Sequence, residues 1–182
     1  RDIIIHQHNG LFLHMVSNLI NKIGVFGLHF ASLDIRQDSS IHGKFYQELA
    51  EKTTTLPAGY LSMSDDEKIN ALADLSAQET SAVITDPILQ DTVQSVTAIR
   101  AIQQYNGVEG CNRYIISQCN SALNAMEVYG LFLLAGWNKE ELNVDIVPLF
   151  ETIDDLRQAA GVMKTLYTHP AYKAHLKRRG NQ

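Results

Sequence analysis

The sequence predicts an α/β fold, with about three parallel strands set among many helices. Three short apolar runs, over residues 26–35, 113–117 and 144–150, each end at polar or charged residues, as buried strands do where they leave a sheet. Between these runs the apolar residues recur at helical spacing, bounded by caps and stop signals. Strands separated by helices imply parallel pairing through right-handed crossovers.

The elements follow in order. Leu11, Phe12, Met15, Leu19, Ile20 and Ile23 form a helical stripe, and Gly24 suits its C-terminal cap. The strand over 26–35 then gives way abruptly to Arg36, Gln37, Asp38, Ser39 and Ser40. A helix over 41–52 buries Ile41, Phe45 and Leu49, and a loop with Thr53, Pro57 and Gly59 runs to Met63. Ser64 and Glu67 have capping-box spacing and open a short helix reaching about Leu75. After a polar interval over 76–85, Asp86 and Pro87 start a longer helix with a stripe of Val93, Val96, Ile99 and Ile102, stopped by Gly107. A short strand over 113–117 precedes an apolar helix over 121–135, closed by Gly136. The strand over 144–150 leads to Thr152, an N-cap paired with Asp155, and two helices complete the chain, the second from Pro170.

Charge at the strand ends suggests chemistry. Arg36 stands where the first strand turns polar, and open α/β sheets and barrels collect ligands at their carboxyl ends. Its fork of donors suits phosphate or carboxylate, though the same residue suits a surface ion pair. Glu151 ends the third strand, and capping by Thr152 leaves its carboxylate free to hold a divalent cation, act as a base or orient a substrate. A surface glutamate near a helix N-terminus is the plainer alternative. In a parallel sheet, Arg36 with Gln37, Gln118 with Asn120, and Glu151 would converge on one face.

Composition narrows the classes. In 182 residues, 45% hydrophobic and 19% charged content is globular, and a net charge of −5 argues against a general nucleic-acid binder. No apolar run reaches the roughly 18 residues of a membrane span. The start, Arg1-Asp2-Ile3-Ile4-Ile5, has no initiator methionine and no signal-peptide pattern, and reads as excised from something longer. Cys111 and Cys119 form no disulfide framework or zinc motif and read as free thiols in a reducing compartment.

Two blocks of residues resemble the phosphoenolpyruvate carboxylase family. The first is Leu33-Asp34-Ile35-Arg36-Gln37-Asp38-Ser39 with His42, and the second runs from Val147 to Leu156 and on through Val162-Met163 and His169-Pro170-Ala171-Tyr172. Tyr114-Ile115-Ile116-Ser117 looks like the family strand between them, whereas residues 51–110 match loosely. Asp38 stands where many members carry glutamate, and residues 118–124 depart from the commoner pattern, so no role is carried onto them.

The resemblance implies Mg²⁺- or Mn²⁺-dependent carboxylation of phosphoenolpyruvate by bicarbonate, yielding oxaloacetate and phosphate, an anaplerotic supply to the tricarboxylic acid cycle. It makes Arg36 the catalytic, substrate-binding arginine, Glu151 a metal ligand, and Gln37 and His42 supporting residues behind them. It also implies a cytoplasmic, homotetrameric parent, and the charge and hydropathy of the chain point to no nucleic-acid or membrane partner. Residues 1–182 would form one partial domain, the helix-rich central section of an incomplete (β/α) TIM-type barrel. The family's catalytic histidine, second metal-binding aspartate and glycine-rich loop have no counterpart here, so the segment alone should be inactive and bind metal weakly. Another Mg²⁺-dependent enzyme of phosphorylated acids, or a non-catalytic binding module, remains the alternative. His6, His8 and His14 read as histidines of one first helix, His29 as a core or barrel-lining group, and the basic residues Lys173, Lys177, Arg178 and Arg179 as partners of a helix C-terminus.

Overall fold

Three parallel strands lie side by side in chain order: β1 (Asp34–Asp38), β2 (Arg113–Ser117) and β3 (Asp145–Pro148). They belong to a computed structural model that describes residues 1–27, 31–77 and 83–181. Because each strand pairs in parallel with the next, the chain must return along the sheet between strands, and helices make those returns. The β1 to β2 return carries α3 (Ser39–Lys52), α4 (Asp65–Ala73) and α5 (Pro87–Asn106), and the β2 to β3 return carries α6 (Ala122–Leu134). Two helices follow β3, α7 (Ile153–Thr168) and α8 (Pro170–Arg178), and two precede β1, α1 (Asp2–Gln7) and α2 (Leu13–Phe26).

Local chemistry sets the helix starts. Asp38 caps α3 by accepting from the Ser40 amide, Ser64 and Glu67 close a reciprocal capping box on α4, and Asp86 caps α5 ahead of Pro87. Thr152 and Asp155 do the same for α7, and Pro170 opens α8.

The core lies on one face of the sheet. Tyr114 and Ile116 of β2 and Ile146 of β3 point to it, against Phe45 and Leu49 of α3 and the apolar surface of α6. Residues 125–134 of α6 are all buried, as an apolar helix with no polar stripe requires. The other face is barer: Asp34, Arg36 and Arg113 are exposed, while Ile115 and Val147 are half-buried. Cys111 and Cys119 flank β2 as buried free thiols. No helix among the described residues is long and apolar enough to cross a membrane.

The amino-terminal part departs from expectation. The single helix expected to carry His6, His8 and His14 is two helices, broken at residues 8–12 where Asn9, Gly10 and Phe12 take positive φ. α2 runs through Gly24 to Phe26 and stops at Gly27, whose φ of 53° is the left-handed value that glycine adopts at least cost. Its stripe of Met15, Leu19, Ile20 and Ile23 is exposed, and α2 has no buried residue. The first strand is correspondingly later and shorter than residues 26–35. Phe26 belongs to α2, residues 28–30 with His29 lie outside the described residues, and pairing starts only at Asp34 opposite Arg113. Hydrophobicity alone cannot place a strand's start, because a strand exists where a partner completes its ladder. β3 is trimmed to Asp145–Pro148 for the same reason, since β2 offers it four partners.

Candidate functional site

The carboxyl ends of the three strands bring together residues far apart in sequence. Arg36, on the bare face of β1, places Nη2 2.6 Å from Glu151 Oε1, across 115 positions of chain. Glu151 sits just past β3, where the Leu149 amide still donates to Ile116 O at 2.9 Å and extends the ladder by one bond. The chain then turns into α7: the Thr152 and Glu151 amides donate to Asp155 Oδ2 at 2.9 and 3.3 Å, and the Asp155 amide to Thr152 Oγ1 at 3.1 Å. Capping therefore consumes Asp155 and Thr152, and the Glu151 carboxylate is left for Arg36. Those amide and hydroxyl donors hold the Asp155 carboxyl below the usual carboxylate range.

β2 contributes through its backbone. The Gln118 amide donates to Glu151 Oε2 at 3.2 Å, and the Gln118 carbonyl accepts from Ser39 Oγ at 2.9 Å. Ser117 Oγ donates to Gln37 O at 3.3 Å, so the ends of β1 and β2 are laced on both sides of the turn. Side chains of Arg36 and Glu151 keep 55% and 36% of their exposure, leaving both groups within reach of a ligand. The arrangement can hold an anion on the unused guanidinium donors and a cation on the open lone pairs of the carboxylate.

Gln37 and His42 turn the other way. Gln37 Nε2 donates to Thr92 Oγ1 of α5 at 3.2 Å, and its Oε1 accepts from the Asp38 amide at 2.9 Å. His42 Nε2 lies 2.8 Å from the Tyr114 hydroxyl on the core side of the sheet, and burial pushes its imidazole down to about 4. Both support the strands from behind without touching Arg36 or Glu151. Asn120 is taken up locally, its amide donating to Asn124 Oδ1 at 3.2 Å. Asp38 makes the cap of α3, and hydrogen bonds from Ser40 hold its carboxyl low, work for which an aspartate's short reach is apt. Arg179 does more than complement a helix end: it grips Asp145 with Nε and Nη2 at 2.6 and 3.2 Å.

Two features escaped sequence reasoning. Gln118 takes a left-handed φ of 52°, which no residue pattern announces for a glutamine. Glu127 is a buried carboxyl in α6, and burial pushes it up to about 7. Here a signal existed, since it is the one charged residue in the helix. As a holder of a divalent cation the site is partial. Glu151 is a suitable single anchor, but no group of three His, Cys, Asp or Glu that could hold a metal occurs among the described residues.

A family model described as phosphoenolpyruvate carboxylase matches residues 3–182. Among curated proteins, a phosphoenolpyruvate carboxylase of Synechocystis sp. is 34% identical over 175 residues, covering 92% of this chain and 17% of that protein. One from Nitrosomonas europaea is 35% identical over 184 aligned positions, covering 97% of this chain and 20% of that protein. One from Prochlorococcus marinus is 35% identical over 172, covering 91% and 17%. The chain thus spans about a fifth of the length of the relatives it matches. With almost every residue inside the family match, the chain belongs to the phosphoenolpyruvate carboxylase family.

Proposed function

We propose that this chain is a central section of the catalytic region of a phosphoenolpyruvate carboxylase, whose intact form converts phosphoenolpyruvate and bicarbonate to oxaloacetate and phosphate. The observation that carries the reading is the meeting of Arg36 and Glu151 at the carboxyl ends of parallel strands, where α/β enzymes assemble their sites. In the reaction a bicarbonate oxygen attacks phosphorus, the bond from phosphorus to the enol oxygen breaks, and carboxyphosphate and an enolate form. The enolate carbon then takes the carboxyl carbon and phosphate leaves.

Every species on this path is anionic, so fixed positive charge is what the protein must supply. Arg36 holds the phosphoryl oxygens on its guanidinium, and Glu151 is one ligand of the divalent cation, Mg²⁺ or Mn²⁺. That cation, when bound, neutralises charge on the enolate oxygen and the phosphoryl group. The three strands are part of a larger (β/α) barrel, and the remaining catalytic groups come from the rest of a cytoplasmic, homotetrameric parent. Gln37 seats β1 on α5, and His42 seats α3 on β2.

The test is bicarbonate-dependent formation of oxaloacetate by the intact parent with Mg²⁺ or Mn²⁺, against Arg36→Ala, Glu151→Gln and this segment alone. Activity in the parent, at least a hundredfold lower in both variants, on the order of one lost transition-state charge contact, is expected. No turnover by the segment alone is expected either. A folded, metal-supplied parent without turnover would refute the reading and favour another metal-dependent enzyme of phosphorylated acids.

A further inference from the structure

The turn after β2 holds a backbone conformation that its own residue does not favour. Gln118 is one of four non-glycine residues with positive φ among the described residues, and the only one of them outside the amino-terminal break and the carboxyl terminus. Left-handed backbone is sterically unfavourable for a residue with a Cβ and persists where surrounding contacts over-determine it. Those contacts are on both sides of the residue. Its amide donates to Glu151 Oε2 at 3.2 Å, and its carbonyl accepts from Ser39 Oγ at 2.9 Å. The following amide, of Cys119, donates to Leu149 O at 3.3 Å and ties the turn to the extension of β3. Ser39 is 8% exposed at the start of α3, so its hydroxyl has little choice of partner.

We propose that the left-handed peptide of Gln118 is a positioning group for the Glu151 carboxylate, and that the Ser39 hydroxyl is the clamp that keeps it aimed. The proposal rests on the reading of Glu151 as a metal ligand. Arg36 takes Oε1 and the Gln118 amide takes Oε2, which together fix the plane of the carboxylate. A carboxylate offers about four lone-pair positions, so two donors orient it and still leave a position on each oxygen for a cation. Glu151 lies at a strand end with 36% of its side chain exposed, and without the second donor it would be free to turn about the single contact with Arg36. Groups that orient a ligand in this way commonly govern metal affinity, though they never touch the ion.

The experiment uses the intact parent and Mn²⁺ alone, its binding followed by loss of the free-ion electron paramagnetic resonance signal, with thermal unfolding measured alongside. Ser39→Ala should weaken Mn²⁺ binding by about tenfold with no matching fall in unfolding temperature, and Ser39→Thr, which restores a hydroxyl, should recover most of it. Gln118→Gly keeps the amide and favours the left-handed backbone, so its affinity should stay within about twofold of the starting protein. Gln118→Val disfavours that backbone and should weaken binding about as much as Ser39→Ala. Should Ser39→Ala fail to fold, the two Gln118 variants decide alone. Equal Mn²⁺ affinity in Gln118→Gly and Gln118→Val, or a loss in Gln118→Gly, would overturn the proposal. If Glu151→Gln leaves Mn²⁺ affinity unchanged, the metal-ligand reading itself fails. If Glu151→Gln weakens binding and Gln118→Val does not, the positioning role alone fails.

Discussion

Glu127 should make the protein respond to pH against the usual direction for a carboxyl group. It is 5% exposed in the middle of α6, and its carboxylate takes one long hydrogen bond among the described residues, from Asn124 Nδ2 at 3.5 Å. Burial raises its carboxyl to about 7, opposed by that hydrogen bond and by attraction to Lys68, and aided by repulsion from Asp65. An unfolded glutamate titrates near about 4.3, so between these values the folded chain keeps a proton that the unfolded chain has released. The native state then binds more protons, and the Glu127 contribution to stability rises as pH falls through that window. At about 1.4 kcal/mol per pH unit the whole effect is roughly 4 kcal/mol, lost progressively as pH rises from about 4.3 to about 7. Glu127→Gln does not titrate. Its stability relative to the parent chain should therefore be about 3 kcal/mol more favourable at pH 8 than at pH 4.5, measured by denaturant unfolding on the fluorescence of Trp137. His42 supplies the opposite control: its imidazole, at about 4 when folded, must take up a proton on unfolding below about 6.5. Stability relative to His42→Gln should thus fall as pH drops from 6.5 to 4. A stability difference for Glu127→Gln that stays flat from pH 8 to 4.5 would show that the carboxyl keeps its water and is not raised by burial.

Two further predictions concern backbone packing and ion pairing. Gly130→Ala would place a Cβ 2.7 Å from Tyr46 Oη and 3.2 and 3.3 Å from Leu75 and Leu72, beside a hydroxyl fixed on Glu127 O. It should cost about 1–3 kcal/mol, less a helix-propensity gain of about 1, whereas Gly161→Ala, with open space around it in α7, should stabilise by about 0.5–1 in the same denaturant titration. Arg179→Met leaves Asp145 largely buried and unpaired, with 11% of its side chain exposed, and should cost about 2–4 kcal/mol. Arg157→Met breaks a pair with Asp154 that is more than 70% exposed on both sides and should change unfolding by less than about 0.5 kcal/mol, so equal losses in the two variants would contradict the burial argument.

What the sequence makes legible is what neighbours in the chain decide. Ser64 with Glu67, Asp86 with Pro87, and Thr152 with Asp155 open helices at the expected positions because a cap satisfies amides two or three residues away. The strand at Arg113–Ser117 is equally plain, since a central strand with alternating burial is bounded by the same residues that its partners bound. β1 is harder because its start depends on what Arg113 offers across the sheet, which no window around Phe26 contains. The amphipathic pattern of α2 is read correctly as a helix, but periodicity says which residues share a face and not what that face meets, and here it meets nothing among the described residues that buries it. The site divides along the same line. Arg36 and Glu151 are visible as charges at strand ends, and parallel pairing alone puts all such ends on one side of a sheet. Whether two of them touch depends on strand order, and the order β1-β2-β3 leaves a full strand between them that their long side chains must span. The span closes at the Gln118 turn, where a backbone amide lends Glu151 its second donor. A backbone group bonds alike whichever side chain it carries, so this part of the site leaves no mark in the sequence and appears only once the three strands are paired.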